Sequence, residues 1–130
     1  VSPRRRWRTH PGLGRAYGAV TLFAAFLGLT LLLGGGPRLK AAAFNTIREV
    51  GGPTVWGLIL LGGAIALVAG ILISPRFAQV ALFVGAFVHG LLALWFFLAA
   101  WHDPAASYWG SGVFTLVSFW HISQAMEYGT

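Results

Sequence analysis

Four apolar stretches, about 16–36, 55–73, 78–101 and 105–126, alternate with short polar breaks and take up most of the chain. Each is near the length an α-helix needs to cross a hydrocarbon core roughly 30 Å thick. The stretches are continuously apolar rather than alternating, which predicts helices and disfavours the strands of a β-barrel. The breaks place the turns. Ser74-Pro75-Arg76 leaves room only for a tight reversal between the second and third stretches. His102-Asp103-Pro104 does the same between the third and fourth, where Asp103 and Pro104 suit a helix start. The expected fold is an all-α membrane protein: a single integral domain over residues 1–130, with four transmembrane helices in antiparallel hairpins.

The first connection is longer. After Gly34-Gly35-Gly36, Pro37 is placed to open a short helix over about 38–50, which Gly51-Gly52-Pro53 would end. Leu39, Ala43, Phe44, Ile47 and Val50 fall near one face, with Arg38, Lys40, Asn45, Arg48 and Glu49 on the rest. Either a helix lying in the membrane interface or a cap over the bundle fits this pattern.

Composition agrees with the hydropathy pattern. Apolar residues make up 57% of the 130 and charged residues 9%, against about a quarter charged in soluble domains. Nine Lys and Arg against three Asp and Glu give a net charge of +6, which raises nucleic-acid binding as a reading. The placement of the charges favours membrane topology and lipid headgroups instead, with no nucleic acid. Arg4, Arg5, Arg6, Arg8 and Arg15 form a basic tail over 1–15, ahead of the first stretch. With four spans both termini share a side, which carries these five and Arg76; the other side has Arg38, Lys40 and Arg48. The expectation is a multi-pass protein of the cytoplasmic (inner) membrane with both termini in the cytoplasm. A basic tail before an apolar run also imitates a secretory leader. This run is longer than a leader's core and lacks a small-x-small cleavage site, so it reads as the first span. Tyr17, Trp56, Trp101, Tyr108, Trp109 and Tyr128 fall at stretch ends, where amphipathic rings favour the headgroup boundary. Trp95 and Trp120 lie deeper and are expected to pack between helices.

Candidate chemistry is sparse. Small residues recur at four-residue spacing in Gly14-Gly18, Gly62-Ala66-Gly70, Ala81-Gly85 and Ala86-Gly90. Such ridges let helices approach closely, within one bundle or between copies. In the fourth stretch Ser107, Ser111, Thr115, Ser118 and His121 recur every three or four residues and predict a polar stripe. A stripe in lipid should face the bundle, a partner subunit or water. His89 and His121 lie roughly 18 and 24 Å from their shared turn at about 1.5 Å per residue, so they can meet across a hairpin. Such a pair serves as hydrogen-bonded packing, as haem ligands, or in metal binding or proton transfer.

The chain has no cysteine, which excludes disulfides and thiolate chemistry. No phosphate-binding Gly-rich loop with its Lys, no carboxylate pair and no His-Glu-x-x-His motif occurs. The three acids Glu49, Asp103 and Glu127 lie at stretch ends, whereas an ion-driven transporter carries acids within its spans. These features point to a protein that is not an enzyme.

Arg8-to-Tyr17 (RTHPGLGRAY), the segment Gly51-Gly52-Pro53-Thr54-Val55-Trp56-Gly57 and the Ala/Gly/Leu/Trp-rich spans carry a resemblance. They resemble small four-span membrane proteins encoded by phages of high-GC actinobacteria, some described as holins. The resemblance implies a protein that self-associates in the host membrane and opens lesions there. The alternatives are an accessory subunit of a larger membrane complex and a haem protein using His89 and His121.

Overall fold

The computed structural model describes residues 11–38 and 40–129. Arg4, Arg5, Arg6, Arg8, His10 and Leu39 lie outside the described residues, whereas Arg15 is exposed on the first helix. Every regular element described is helical. The elements are α1 (Pro11–Arg38), a 3-10 turn (Ala42–Phe44), α2 (Asn45–Glu49), α3 (Gly52–Ile73), α4 (Pro75–His102) and α5 (Trp109–Gly129).

Among the described residues three helices are long and apolar enough to cross a membrane: Gly12–Gly34 of α1, α3 and α4. The chain is therefore a helical, membrane-spanning protein. Only 28, 33 and 39% of their most apolar windows is buried inside the protein, so hydrocarbon must cover the rest. Four spans were expected. The 21-residue α5 is long enough but falls short in apolarity, because Ser111, Thr115, Ser118, His121 and Gln124 interrupt its apolar residues.

Several boundaries also differ from expectation. Gly34–Gly36 do not end the first helix. In lipid a helical peptide group has no better partner than its own helix, which outweighs the roughly 1 kcal/mol that each glycine costs. The helix stops at Arg38, just past Pro37. No single helix covers 38–50. Ala41 is extended, and the chain makes one 3-10 turn and the five-residue α2. These pieces cap the bundle: Ile47 is buried, and the Phe44 ring meets Phe96 edge-on at 5.3 Å. Val50, expected on the same apolar face, is exposed. Gly51 and Gly52, at φ of 93° and 74°, then turn the chain into α3 through a conformation that other residues resist.

The tight reversal at Ser74-Pro75-Arg76 is present, but α4 starts three residues before the expected 78: the Ser74 hydroxyl accepts from the Phe77 N–H at 3.2 Å, with Pro75 in the first turn. Asp103 does not start α5. It caps the end of α4, its carboxylate accepts from the Ala105 N–H at 2.9 Å, and α5 begins six residues later at Trp109. Proximity of the Asp103 carboxylate to its own following amides favours a turn there over a helix.

The helices α1–α3, α3–α4 and α4–α5 form the main packed pairs, with α4–α5 the most extensive and α1–α5 a lighter contact. The core has two apolar clusters at opposite ends. One joins Tyr17, Leu67, Ala78, Leu82, Ala125 and Tyr128. The other joins Leu31, Ile47, Trp56, Leu92, Phe96 and Phe114. Three of the expected boundary aromatics are therefore core residues. Tyr17 is fully buried, donates to the Leu67 carbonyl at 2.6 Å and meets the Tyr128 ring edge-on. Trp56 is buried and donates to the Val50 carbonyl at 2.5 Å. Trp101, Tyr108 and Trp109 are exposed, as a boundary position requires. Trp120, expected between helices, turns outward; Trp95 packs against the core.

The closest crossing of α1 and α3 pairs Gly28 with Gly57. A Cβ on Gly57 would lie 2.9 Å from the Gly28 carbonyl oxygen and 2.7 Å from Leu32 Cγ. Gly57→Ala must force these helices apart and should destabilise the protein by about 1–3 kcal/mol. Gly18→Ala, whose Cβ meets nothing within 4 Å, should leave stability unchanged or slightly raised. Denaturation of the two variants in detergent, followed by helical circular dichroism, checks the contrast.

Candidate functional site: a buried histidine pair

Between the two apolar clusters α4 brings in His89 and α5 brings in His121. Both are buried, at 1% and 0% exposure. Their rings stack with centroids 4.6 Å apart and planes 29° from parallel. The meeting expected from their depths is present. Phe23 of α1 and Phe114 of α5 flank the His89 ring at 5.9 and 6.1 Å.

Each ring is fixed in the same way. His89 Nδ1 lies 2.7 Å from the Gly85 carbonyl oxygen and His121 Nδ1 lies 2.8 Å from that of Val117, both four residues back. A carbonyl only accepts, so both Nδ1 atoms carry the hydrogen. A neutral imidazole with its proton there has a bare lone pair on Nε2. Both Nε2 atoms are buried and have no hydrogen-bond partner among the described residues. The site is thus two acceptors without donors.

Gly85 makes room for this arrangement. A Cβ there would fall 2.5 Å from His121 Cδ2 and 2.8 Å from Nε2, so the ring occupies the space of a missing side chain. The Ala81-Gly85 ridge serves this contact, with Ala81 itself buried. The other ridge residues divide. Gly70 lets α4 approach, its would-be Cβ 2.7 Å from Ala78 Cα. Gly90 faces Ser118, whose hydroxyl donates to the Ala86 carbonyl at 2.8 Å. Gly62 is exposed and Ala66 half-buried, and a Cβ on Gly62 would meet nothing within 4 Å.

The polar stripe is split. Ser118 and His121 turn toward α4, whereas Thr115 is exposed and bonds its own helix at the Ser111 carbonyl. Ser107 is exposed, precedes the helix and accepts from the Trp109 N–H. At about 100° per residue Ser118 sits roughly 60° from His121 around the helix and Thr115 roughly 120°. The buried face is centred on Phe114, His121, Ala125 and Tyr128 instead.

A cavity of about 200 Å³ adjoins the pair, with walls from all four long helices including Ala24, Leu60, Gly63, His89 and His121. Among the described residues the histidines are the only polar side chains on its wall. Ala24 and Gly63 were not picked out from sequence, because a small residue next to an imidazole is visible only once helices are paired. Buried Gln124, one turn beyond His121, was also missed.

The arrangement does not fit haem. Axial histidines hold the iron from the two sides of the macrocycle; rings stacked at 4.6 Å leave no gap for one between them. Among the described residues no group of three or more His, Cys, Asp or Glu is placed to hold a metal ion.

Gly85→Ala should push the His121 ring out of the stack and lower stability by about 1–3 kcal/mol. Loss of the mutual ring-current shifts of the two imidazoles in NMR spectra would report the unstacking, and unchanged shifts would refute it. Comparison with protein-family models, with curated proteins and with solved structures gives no match to this chain.

Proposed function

We propose that this is a small, non-enzymatic, self-associating protein of the cytoplasmic membrane, holin-like in its action, with α5 as a fourth span. The outer face of α5 supports that last point. Trp109, Leu116, Phe119 and Met126 are exposed there, while Ser118, His121 and Gln124 turn inward. A helix that exposes mostly large apolar side chains, retires the exposed Thr115 hydroxyl onto its own backbone and turns its imidazole and amide inward is suited to lipid. The four long helices then make two antiparallel hairpins with both termini on one side. Arg15 and Arg76 are exposed at that end, and with Arg4, Arg5, Arg6 and Arg8 of the sequence they support a cytoplasmic side for it.

The observation that carries self-association is the notch at Gly62. It is exposed between the large, exposed Leu58, Ile59 and Ile65 of α3, and a Cβ there would meet no described residue within 4 Å. Small residues between bulky ones let a second helix approach within dispersion range, the main attraction available between helices in lipid. The sequence resemblance to phage four-span proteins supplies the consequence, an assembly that breaches the membrane.

Gly62→Leu separates assembly from folding, because a Cβ there would meet nothing within 4 Å among the described residues. The wild type should run as oligomers in mild detergent and collapse the membrane potential when expressed. Gly62→Leu should keep its helical melt, run as a monomer and spare the potential. A monomeric wild type that leaves the potential intact would sink the proposal. Co-purification with a different protein at fixed stoichiometry, without homo-oligomers, would replace it with the accessory-subunit reading.

A further inference from the structure

We infer that the histidine pair is an acid-operated latch between α4 and α5: proton uptake by the two imidazoles separates these helices and lets water into the seam. The packed state suits only neutral rings. Each ring's one proton sits on Nδ1 and is donated to a carbonyl of its own helix, Gly85 for His89 and Val117 for His121. A further proton can bond only at Nε2, and both Nε2 atoms are buried with no hydrogen-bond partner among the described residues. The new N–H would have no acceptor there, and its charge no counter-ion. A second proton would add a like charge, because the ring centroids are 4.6 Å apart. The helices around the pair offer no relief. Phe23 of α1 and Phe114 of α5 flank His89, and the nearby walls from α3 and α4 include Leu60, Gly63, Gly85 and Val88. Of the chain's three acids, Glu49 and Glu127 are exposed and Asp103 follows the end of α4. Tyr17 and Tyr128 pack on each other in the cluster at one end. Among the described residues, each imidazole therefore faces one titratable group, the other imidazole.

The seam between α4 and α5 is also the one suited to take in water. α5 is held to the bundle chiefly through α4, with a lighter contact to α1, so it can move as a unit. Polar side chains recur along the seam: Gln79 donates to the Ala125 carbonyl, Ser118 to that of Ala86, and Gln124 is buried one turn beyond His121. Water entering there hydrates these groups together with the charged rings. The separated state takes up protons that the packed state excludes. Packing therefore holds at neutral pH and weakens as the pH falls below about 6.5, where a hydrated imidazole charges. Each such proton raises the ratio of separated to packed protein about tenfold per pH unit. This inference rests on the packing of α4 against α5 and not on self-association.

The test uses the full chain in lipid nanodiscs. Spin labels are attached at Phe87→Cys and Phe119→Cys, exposed positions on α4 and α5, and the chain has no cysteine of its own to compete. Dilution with unlabelled chain restricts the distance to one protomer. The label separation is read by electron–electron resonance from about pH 7.5 to about pH 4.5, which brackets the ordinary imidazole value. We expect one separation at neutral pH and a longer, reversible one in acid, its share relative to the packed form rising about tenfold or more per pH unit. Nitrogen-15 spectra of the wild type should show both imidazoles becoming cationic over the same range. The double variant His89→Gln, His121→Gln carries amides that stay neutral, and it should keep the packed separation throughout. If that variant fails to fold, the wild-type spectra and distances decide together. A separation that stays constant down to about pH 4.5 overturns the inference. So do imidazoles that become cationic while the helices stay packed, helices that part with both imidazoles neutral, and acid opening of the folded double variant.

Discussion

A polar group in hydrocarbon must find its partner inside the protein, because no water replaces it there. Much of the bundle follows from that constraint. The hydroxyls of Thr21, Thr30 and Thr115 bond the carbonyls four residues back, so these residues need no neighbouring helix. Longer polar side chains reach across and fix which helices meet. Tyr17 of α1 donates to the Leu67 carbonyl of α3. Gln79 of α4 donates to the Ala125 carbonyl of α5 at 3.1 Å, and Ser118 of α5 returns a bond to Ala86 of α4. Apolar contact alone would discriminate poorly between packed and lipid-facing arrangements, since acyl chains are as apolar as leucine. These cross-helix bonds, with the close glycine approaches, give the packed state its advantage and set its register.

The constraint also shows what was legible in the sequence. Long apolar runs announce spanning helices because a soluble core has no place for them, and α1, α3 and α4 were visible on that ground. The reversal at Ser74 was visible because a three-residue break between two apolar runs leaves room for nothing longer. The meeting of His89 and His121 followed from counting residues out from one turn. Partner choice was not legible. Tyr17 at the edge of an apolar run reads as a boundary anchor, and only the pairing of α1 with α3 shows a carbonyl within its reach. Similarly, the serine and threonine spacing in α5 defines a stripe but not its facing. A hydroxyl can retire onto its own helix, as Thr115 does, whereas an imidazole that buries one nitrogen still has a second. Gly28 and Gly57 belong to different helices and form no repeat, so nothing in the linear pattern links them.

The histidine pair is the place where the constraint is left half met. Each Nδ1 uses the same device as the threonines, a carbonyl one turn back, which settles the ring's tautomer and orientation without any other helix. Each Nε2 is left buried without a donor, at a cost of about 1–3 kcal/mol for such a group. An apolar side chain at either position would avoid that cost and still fill the core. The geometry around the pair is permissive in the same direction: Gly85 yields its side-chain space to one ring, and Ala24 and Gly63 leave volume beside it. Together these choices give up packing beside the pair in order to hold two imidazoles in the middle of the bundle.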